Sequence, residues 1–341
     1  MSTDKKTDIA ELGEFGLIDR LGAKFEMQQN STVKGIGDDA AVIDAGDYYM
    51  LVSSELLLEG IAFNLVYTPM QHLGYKAVTA AVADIYAMNG TPQQLTLSLG
   101  VSARFSVEDI DALYEGVRLG CKFYGVDLVG GDTTSSMTGL SIGVTCVGRV
   151  DKDKICYRSG AQVNDVICIT GDLGAAYMGL QLLERESRAL KDVANPQPQF
   201  AGYDYLLRRQ LRPEVPPHFS KLLAEAGVQP TSMIDLSDGL ASDLLQVCRA
   251  SGVGAKVFLD RLPIASETFK MAEELHTDPV ISAMNGGEDY EMMFTVRLED
   301  REKILGIGGI EQIGYIVSSD RGVKLTTPDG EMIDITAQGF K

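Results

Sequence analysis

Tryptophan is absent from this chain, histidine occurs three times, and the five cysteines include no CxxC pair. Three histidines, His72, His218 and His276, are too few to expect a histidine-built metal site. Cys121, Cys146, Cys156, Cys168 and Cys248 are odd in number, and several stand in apolar, strand-like runs such as Val144-Thr145-Cys146-Val147. They read as small buried hydrophobes rather than as disulfides or zinc ligands. Basic residues are scarce: 30 Lys and Arg face 48 Asp and Glu, a net charge of -18. That balance argues against the basic surface of a nucleic-acid binder. No charge-free apolar run is long enough to span a bilayer, and Met1 to Leu12 lacks the apolar centre of a signal peptide. A soluble, cytoplasmic protein is expected. There is no Gly-x-x-x-x-Gly-Lys-Ser/Thr loop and no Gly-x-Gly-x-x-Gly followed by His-Arg-Asp, so neither common phosphoryl-transfer design is present.

What the chain does have is four short acidic motifs that carry glycine. They are Gly35-Ile36-Gly37-Asp38-Asp39, Gly130-Gly131-Asp132-Thr133-Thr134, Asp235-Leu236-Ser237-Asp238-Gly239 and Gly286-Gly287-Glu288-Asp289-Tyr290. Carboxylates and hydroxyls are the oxygen ligands that Mg²⁺ takes, usually together with water and substrate phosphate. Glycine lets a backbone approach phosphate with no Cβ in the way. Each motif alone is also an ordinary turn or helix cap. Four of them over about 250 residues point to a site assembled by folding. A fifth acid stands out by its surroundings. Asp84 lies in Ala81-Val82-Ala83-Asp84-Ile85-Tyr86-Ala87-Met88, where an unpaired carboxylate is costly. A metal bridge explains it better than an arginine partner does. Arg158 can fork onto phosphate or be a surface cation, and Ser237 can cap a helix whose amides would also hold an anion.

At 341 residues two domains are expected. The charged run Asp151-Lys152-Asp153-Lys154 marks the boundary, giving 1–150 and 151–341. Helices are predicted over about 13–29, 70–89, 106–124, 171–185 and 235–249. Strands are predicted over 40–43, 48–53, 94–101, 126–129, 140–149, 165–170, 253–259 and 290–296. The alternation indicates an α/β (α+β) protein.

Taken in order, these motifs resemble the thiamine-monophosphate kinase family, which belongs with aminoimidazole ribonucleotide synthetase and selenophosphate synthetase in one superfamily. The likeness begins at Gly13-Glu14-Phe15, takes in Leu58-Glu59-Gly60 and Arg158-Ser159-Gly160-Ala161 beside the motifs above, and ends at Gly339-Phe340. The resemblance implies ATP-dependent phosphorylation of thiamine monophosphate. It implies a homodimer whose N-terminal mixed sheet pairs across the dimer, with 1–150 binding ATP and Mg²⁺ and 151–341, a C-terminal α/β domain, completing the nucleotide and substrate site. Carried over by motif, Asp39, Ser53, Ser54, Glu55, Asp84, Asp132, Asp235 and Asp238 fall at metal positions. Gly131, Asp132, Arg158 and Ser237 fall at ATP positions, and Glu288, Phe340 and Ala62 at substrate positions. Glu55 stands where the family has Asp, and Ala62 where it usually has His. No covalent nucleophile is expected; positioning and metal ions are to carry the chemistry. The residues alone leave two other readings open: a related ATP-dependent synthetase with another substrate, and an ATP-binding paralogue that has lost catalysis.

Overall fold

A computed structural model describes residues 7–193 and 197–337, so Phe340 lies outside the described residues. Two sheets organise the chain. The first has six strands in the order β1-β2-β3-β6-β4-β5, with β1 Thr32–Lys34, β2 Ala41–Asp44, β3 Tyr48–Leu58, β4 Thr91–Val101, β5 Asp127–Ser135 and β6 Ser141–Asp151. Its pairings are antiparallel except β4 with β5. The second has seven strands in the order β13-β12-β9-β11-β7-β10-β8. These are β7 Val166–Thr170, β8 Ser232–Asp235, β9 Gly254–Phe258, β10 Met292–Val296, β11 Ile310–Val317, β12 Val323–Thr326 and β13 Met332–Asp334. The helices needed below are α1 Ile9–Gly22, α2 Met70–Ala87, α3 Val107–Tyr124, α4 Ala175–Leu190, α5 Asp204–Leu211, α6 Phe219–Glu225 and α7 Leu240–Ser251.

Helix α2 is the spine. From Leu73 to Ala87 every residue but Asp84 is buried. The helix packs against α3 at glycines: a Cβ on Gly74 would lie 2.0 Å from the carbonyl oxygen of Leu113, and one on Gly116 would lie 1.8 Å from that of Gln71. Such backbone-to-backbone contact admits no larger side chain. Helix α3 opens as its sequence predicts, with a reciprocal capping box between Ser106 and Asp109. On its other side α2 meets both sheets. One apolar cluster joins Val82, Ile85 and Leu97 of the first half to Cys168, Met233 and Phe294 of the second.

Three expectations are corrected. Strand β3 runs on to Leu58, because Ser53 to Leu58 stays paired with β6 throughout. The Gly130 motif is not a turn after a strand but part of β5 itself. Asp235 ends a strand rather than beginning a helix, and α7 starts five residues later. Local turn chemistry outweighed strand pairing in the sequence reading, and pairing with distant strands won in the fold.

Candidate functional site

Three carboxylates from three separate stretches converge. Asp39 follows the Gly35 loop, Asp84 projects from α2, and Asp235 closes β8. Each offers an oxygen within 4.8 Å of the others. They sit in the wall of a cavity of about 950 Å³ that Glu14, Asp38, Ser54, Glu55, Ser237 and Asp238 also line. Strand alternation sorts β3: Ser53 and Glu55 face α2, and Ser54 turns to the other face. The Ser53 hydroxyl donates to the carbonyl of Ala81 at 3.2 Å. The Ser54 hydroxyl instead meets the Thr145 hydroxyl at 3.4 Å.

Two cations answer this negative charge: Lys34 lies 3.9 Å from Asp38, and Arg158 is the more closely bound. Arg158 donates through Nε to Asp39 Oδ1 at 2.8 Å and adds a second bond through its outer nitrogen, while its backbone N–H donates to Asp38 at 3.1 Å. It ties the C-terminal half to the N-terminal loop. The compensation is incomplete. Burial, opposed by Arg158 and reinforced by Asp235, pushes Asp39 up to about 7. Burial pushes Asp235 up to about 7, with Arg158 opposing it and Glu55 adding to it. Burial and the neighbouring acids raise Glu55 to about 7 and Asp84 well above the usual carboxylate range. Oδ2 of Asp38 and Oδ2 of Asp39 are buried without a hydrogen-bond partner.

The part of the cavity beside Lys76, about two helical turns along α2 from Asp84, is built differently. Glu288 lines it, and its carboxylate takes Lys76 Nζ at 2.7 Å and the Gln210 side-chain amide at 3.1 Å. Two backbone bonds hold this loop to the acidic one: Glu288 N–H to Ser237 O at 2.8 Å and Tyr290 N–H to Leu236 O at 2.9 Å. Ala62 also lines the cavity.

Of the sequence-predicted residues, the cavity thus gathers Asp39, Ser54, Glu55, Asp84, Asp235 and Asp238 with Arg158, Ser237, Glu288 and Ala62. Gly131 and Asp132 are elsewhere. Gly131 lies in the same cross-strand row as Glu55 but three strands away through Val144 and Leu97. At about 4.8 Å per strand that is roughly 14 Å. Strand β5 is a sheet edge exposed along all nine residues.

Sequence reasoning missed three charged groups. Lys76 is a buried cation inside an apolar helix, the same signal that singled out Asp84. Asp243, one turn into α7, is buried with Oδ2 unpartnered. Arg209 binds Glu291 at 2.8 Å, lies 3.7 Å from Asp289 and donates to the Asp172 carbonyl, and no local pattern announces it.

Comparison with known proteins covers nearly the whole chain. Residues 37–150 match the family described as AIR synthase related protein, N-terminal domain, and residues 163–324 match its C-terminal domain. The chain is 32% identical to the thiamine-monophosphate kinase of Bacillus subtilis (strain 168) over 335 residues, 96% of this chain and 99% of the relative. It is 33% identical to that of Synechococcus elongatus over 340 residues, 98% and 97%. A solved structure described as AaThiL complexed with AMPPCP and TMP superposes with a TM-score of 0.82 at 28% identity, covering 96% of this chain and 97% of the other.

Proposed function

The chain belongs to the thiamine-monophosphate kinase family of AIR synthase related proteins, and from that premise we propose how its site works. It is an ATP-dependent kinase that converts thiamine monophosphate to thiamine diphosphate. The observation that carries the local assignment is the convergence of Asp39, Asp84 and Asp235 at one end of a cavity whose other end presents Glu288.

The donor set fits Mg²⁺: it is all oxygen, it is short of positive charge, and Asp39 keeps a buried oxygen without a partner. Asp39, Asp84 and Asp235 would hold the ion, with Glu55 and Asp238 in reach of the same space; Ser54, on the other face of β3, is not among these ligands. When bound, Mg²⁺ offsets phosphate repulsion and orients both polyanions. The protein supplies the rest. Arg158 gives a fixed guanidinium beside the phosphates. Ser237 and Asp238 present the start of α7, whose first amides favour an anion. An oxygen of the acceptor monophosphate attacks the γ-phosphorus in line, the bond from that phosphorus to the bridging oxygen breaks, and ADP leaves with the electron pair. The acceptor is already an anion near neutral pH, so no side chain need act as a strong base.

Residues 1–150 are read as the ATP- and Mg²⁺-binding, dimerising half and 151–341 as the half that completes the site. In a homodimer, Gly131 and Asp132 would reach nucleotide from a second copy, since three strands separate them from Glu55 in their own chain. The exposed edge β5, with Val129 61% exposed, supports that pairing. Phe340 stays a substrate contact by resemblance.

The decisive experiment is ADP release from Mg-ATP with and without thiamine monophosphate, with the product identified by mass. Diphosphate formed in step with ADP supports the reading. ATP binding without acceptor-dependent ADP overturns it and favours a paralogue or a synthetase with another substrate.

A further inference from the structure

The cavity wall contributed by α2 has a repeat that the kinase reading does not use. Lys76, Ala80 and Asp84 are spaced i, i+4, i+8 and so share one face of the helix. Asp84 belongs to the acidic cluster and Ala80 lines the cavity. Lys76, only 2% exposed, stands behind Glu288 and binds its carboxylate at 2.7 Å. Eight residues of helix span about 12 Å. One rigid element therefore sets the distance between the phosphate end and the Glu288 end, and the small Ala80 leaves room between them.

Glu288 itself is held against its own preference. Its φ is +58°, a left-handed region that a residue with a Cβ rarely adopts. Glycine would fit there without strain, so the carboxylate accounts for the residue. With one oxygen on an ammonium and the other on an amide, the group can only accept further hydrogen bonds, and its orientation is fixed.

We propose that Lys76 is the positioning residue for acceptor recognition and Ala80 the residue that limits acceptor size. Lys76 aims Glu288 at an N–H donor on an amino-substituted heteroaromatic ring, about 12 Å along α2 from Asp84. This deepens the kinase reading and rests on it for the direction in which the acceptor lies. A buried lysine with a merely structural role would change stability without changing acceptor recognition.

The test uses the full-length protein and two readouts: steady-state kinetics with each substrate varied, and calorimetric binding of thiamine monophosphate without ATP. Lys76→Met is expected to raise KM and Kd for thiamine monophosphate at least tenfold, with KM for ATP and kcat within threefold of wild type. Lys76→Arg should recover part of the loss. Ala80→Leu, which alters no charge, should raise the same constants and spare KM for ATP. If Lys76 acts through Glu288, Lys76→Met combined with Glu288→Gln is no worse than the weaker-binding single variant. Multiplying effects, an unchanged KM for thiamine monophosphate, or an equal rise in both KM values overturns the inference. Wild type that binds thiamine monophosphate without phosphorylating it overturns the kinase reading and leaves the binding comparison to decide this one. Wild type that neither binds nor phosphorylates it overturns both.

Discussion

The two ends of the cavity treat buried carboxylates in opposite ways. Around Glu288 each acid has its counterpart: Glu288 has Lys76 and Gln210, while Asp289 and Glu291 share Arg209 and also accept from the Gly174 amide and the Thr170 hydroxyl. Around Asp39, four more acids, Asp38, Asp84, Asp235 and Glu55, have only the Arg158 guanidinium and, 3.9 Å from Asp38, the Lys34 ammonium to set against them among the described residues. Folding does not bury unmatched charge without cost, and a surplus this local is what supports the proposed metal site. The matched end needs nothing but its ligand. In the proposed reading, the Mg²⁺ site follows from the charge the protein leaves unbalanced, and the acceptor site from the charge it has already balanced.

The sharpest way to break that contrast is Asp84→Asn. Loss of one ligand from a metal clamp removes several kcal/mol of transition-state stabilisation, so kcat/KM should fall about 10³-fold. The same change removes a group that must keep a proton to stay buried near neutral pH, so the melting temperature in magnesium-free buffer should rise. Activity within tenfold of wild type would remove Asp84 from the metal set.

Next in size is a pair of arginine deletions compared by chemical denaturation. Arg209→Met leaves Asp289 and Glu291 buried and unpaired and should cost about 3 kcal/mol, with or without Mg²⁺. Asp289 is pushed up to about 7 by burial just as Asp39 is, so protonation softens both losses. Arg158→Met should cost less because the acids it abandons line the cavity, where added Mg²⁺ can take its place and restore what is lost. Equal responses of both variants to Mg²⁺ would erase the distinction between the two ends.

A third test uses pH. Asp39 and Asp235 are pushed up to about 7 by burial, so in the folded protein they keep protons that the unfolded chain has already released above about pH 4. Stability without metal should therefore decline as pH rises from about 4 to about 7, then level off. Mg²⁺ binds the ionised form. Each proton that must leave a group titrating near 7 weakens apparent Mg²⁺ affinity about tenfold between pH 8 and pH 6. Calorimetric Mg²⁺ titration at both values checks the sign; affinity independent of pH would mean that these acids do not bind the ion.

Much of this was legible in the sequence because the acids announce themselves. Asp84 was conspicuous as a charge in an apolar helix, and the motifs at Asp39 and Asp235 by their glycines and paired carboxylates. The helix from Ser106 was bounded by its own cap. What stayed hidden depends on partners far apart in the chain. The β5 run looked like a turn because glycine, Asp and Thr favour turns locally, and only its register with β4 makes it a strand. Lys76 and Glu288 are 212 positions apart, and neither alone shows that the other is there. Asp132 shows a further limit: its place three strands from Glu55 becomes evident only once sheet order is known.

The smallest expected effect concerns Glu55, the acid at the crowded end that, by the resemblance, stands where an Asp is expected. Its side chain lies on the α2 face of β3, beside Asp84. The added methylene therefore carries the carboxylate toward the cluster instead of out of it. Shortening it by Glu55→Asp breaks that contact but leaves a carboxylate that water and the ion can bridge. Octahedral Mg²⁺ tolerates a bridging water in place of a direct ligand. A change in kcat of less than about fivefold follows, since even one hydrogen bond in such a network contributes about 1 kcal/mol. Ala62→His, alone or together with Glu55→Asp, extends the test toward the acceptor, where a new side chain would alter KM for thiamine monophosphate before it alters kcat. A rise of a hundredfold or more in the double variant would show that these two residues, and not the charge balance of the two ends, limit the enzyme.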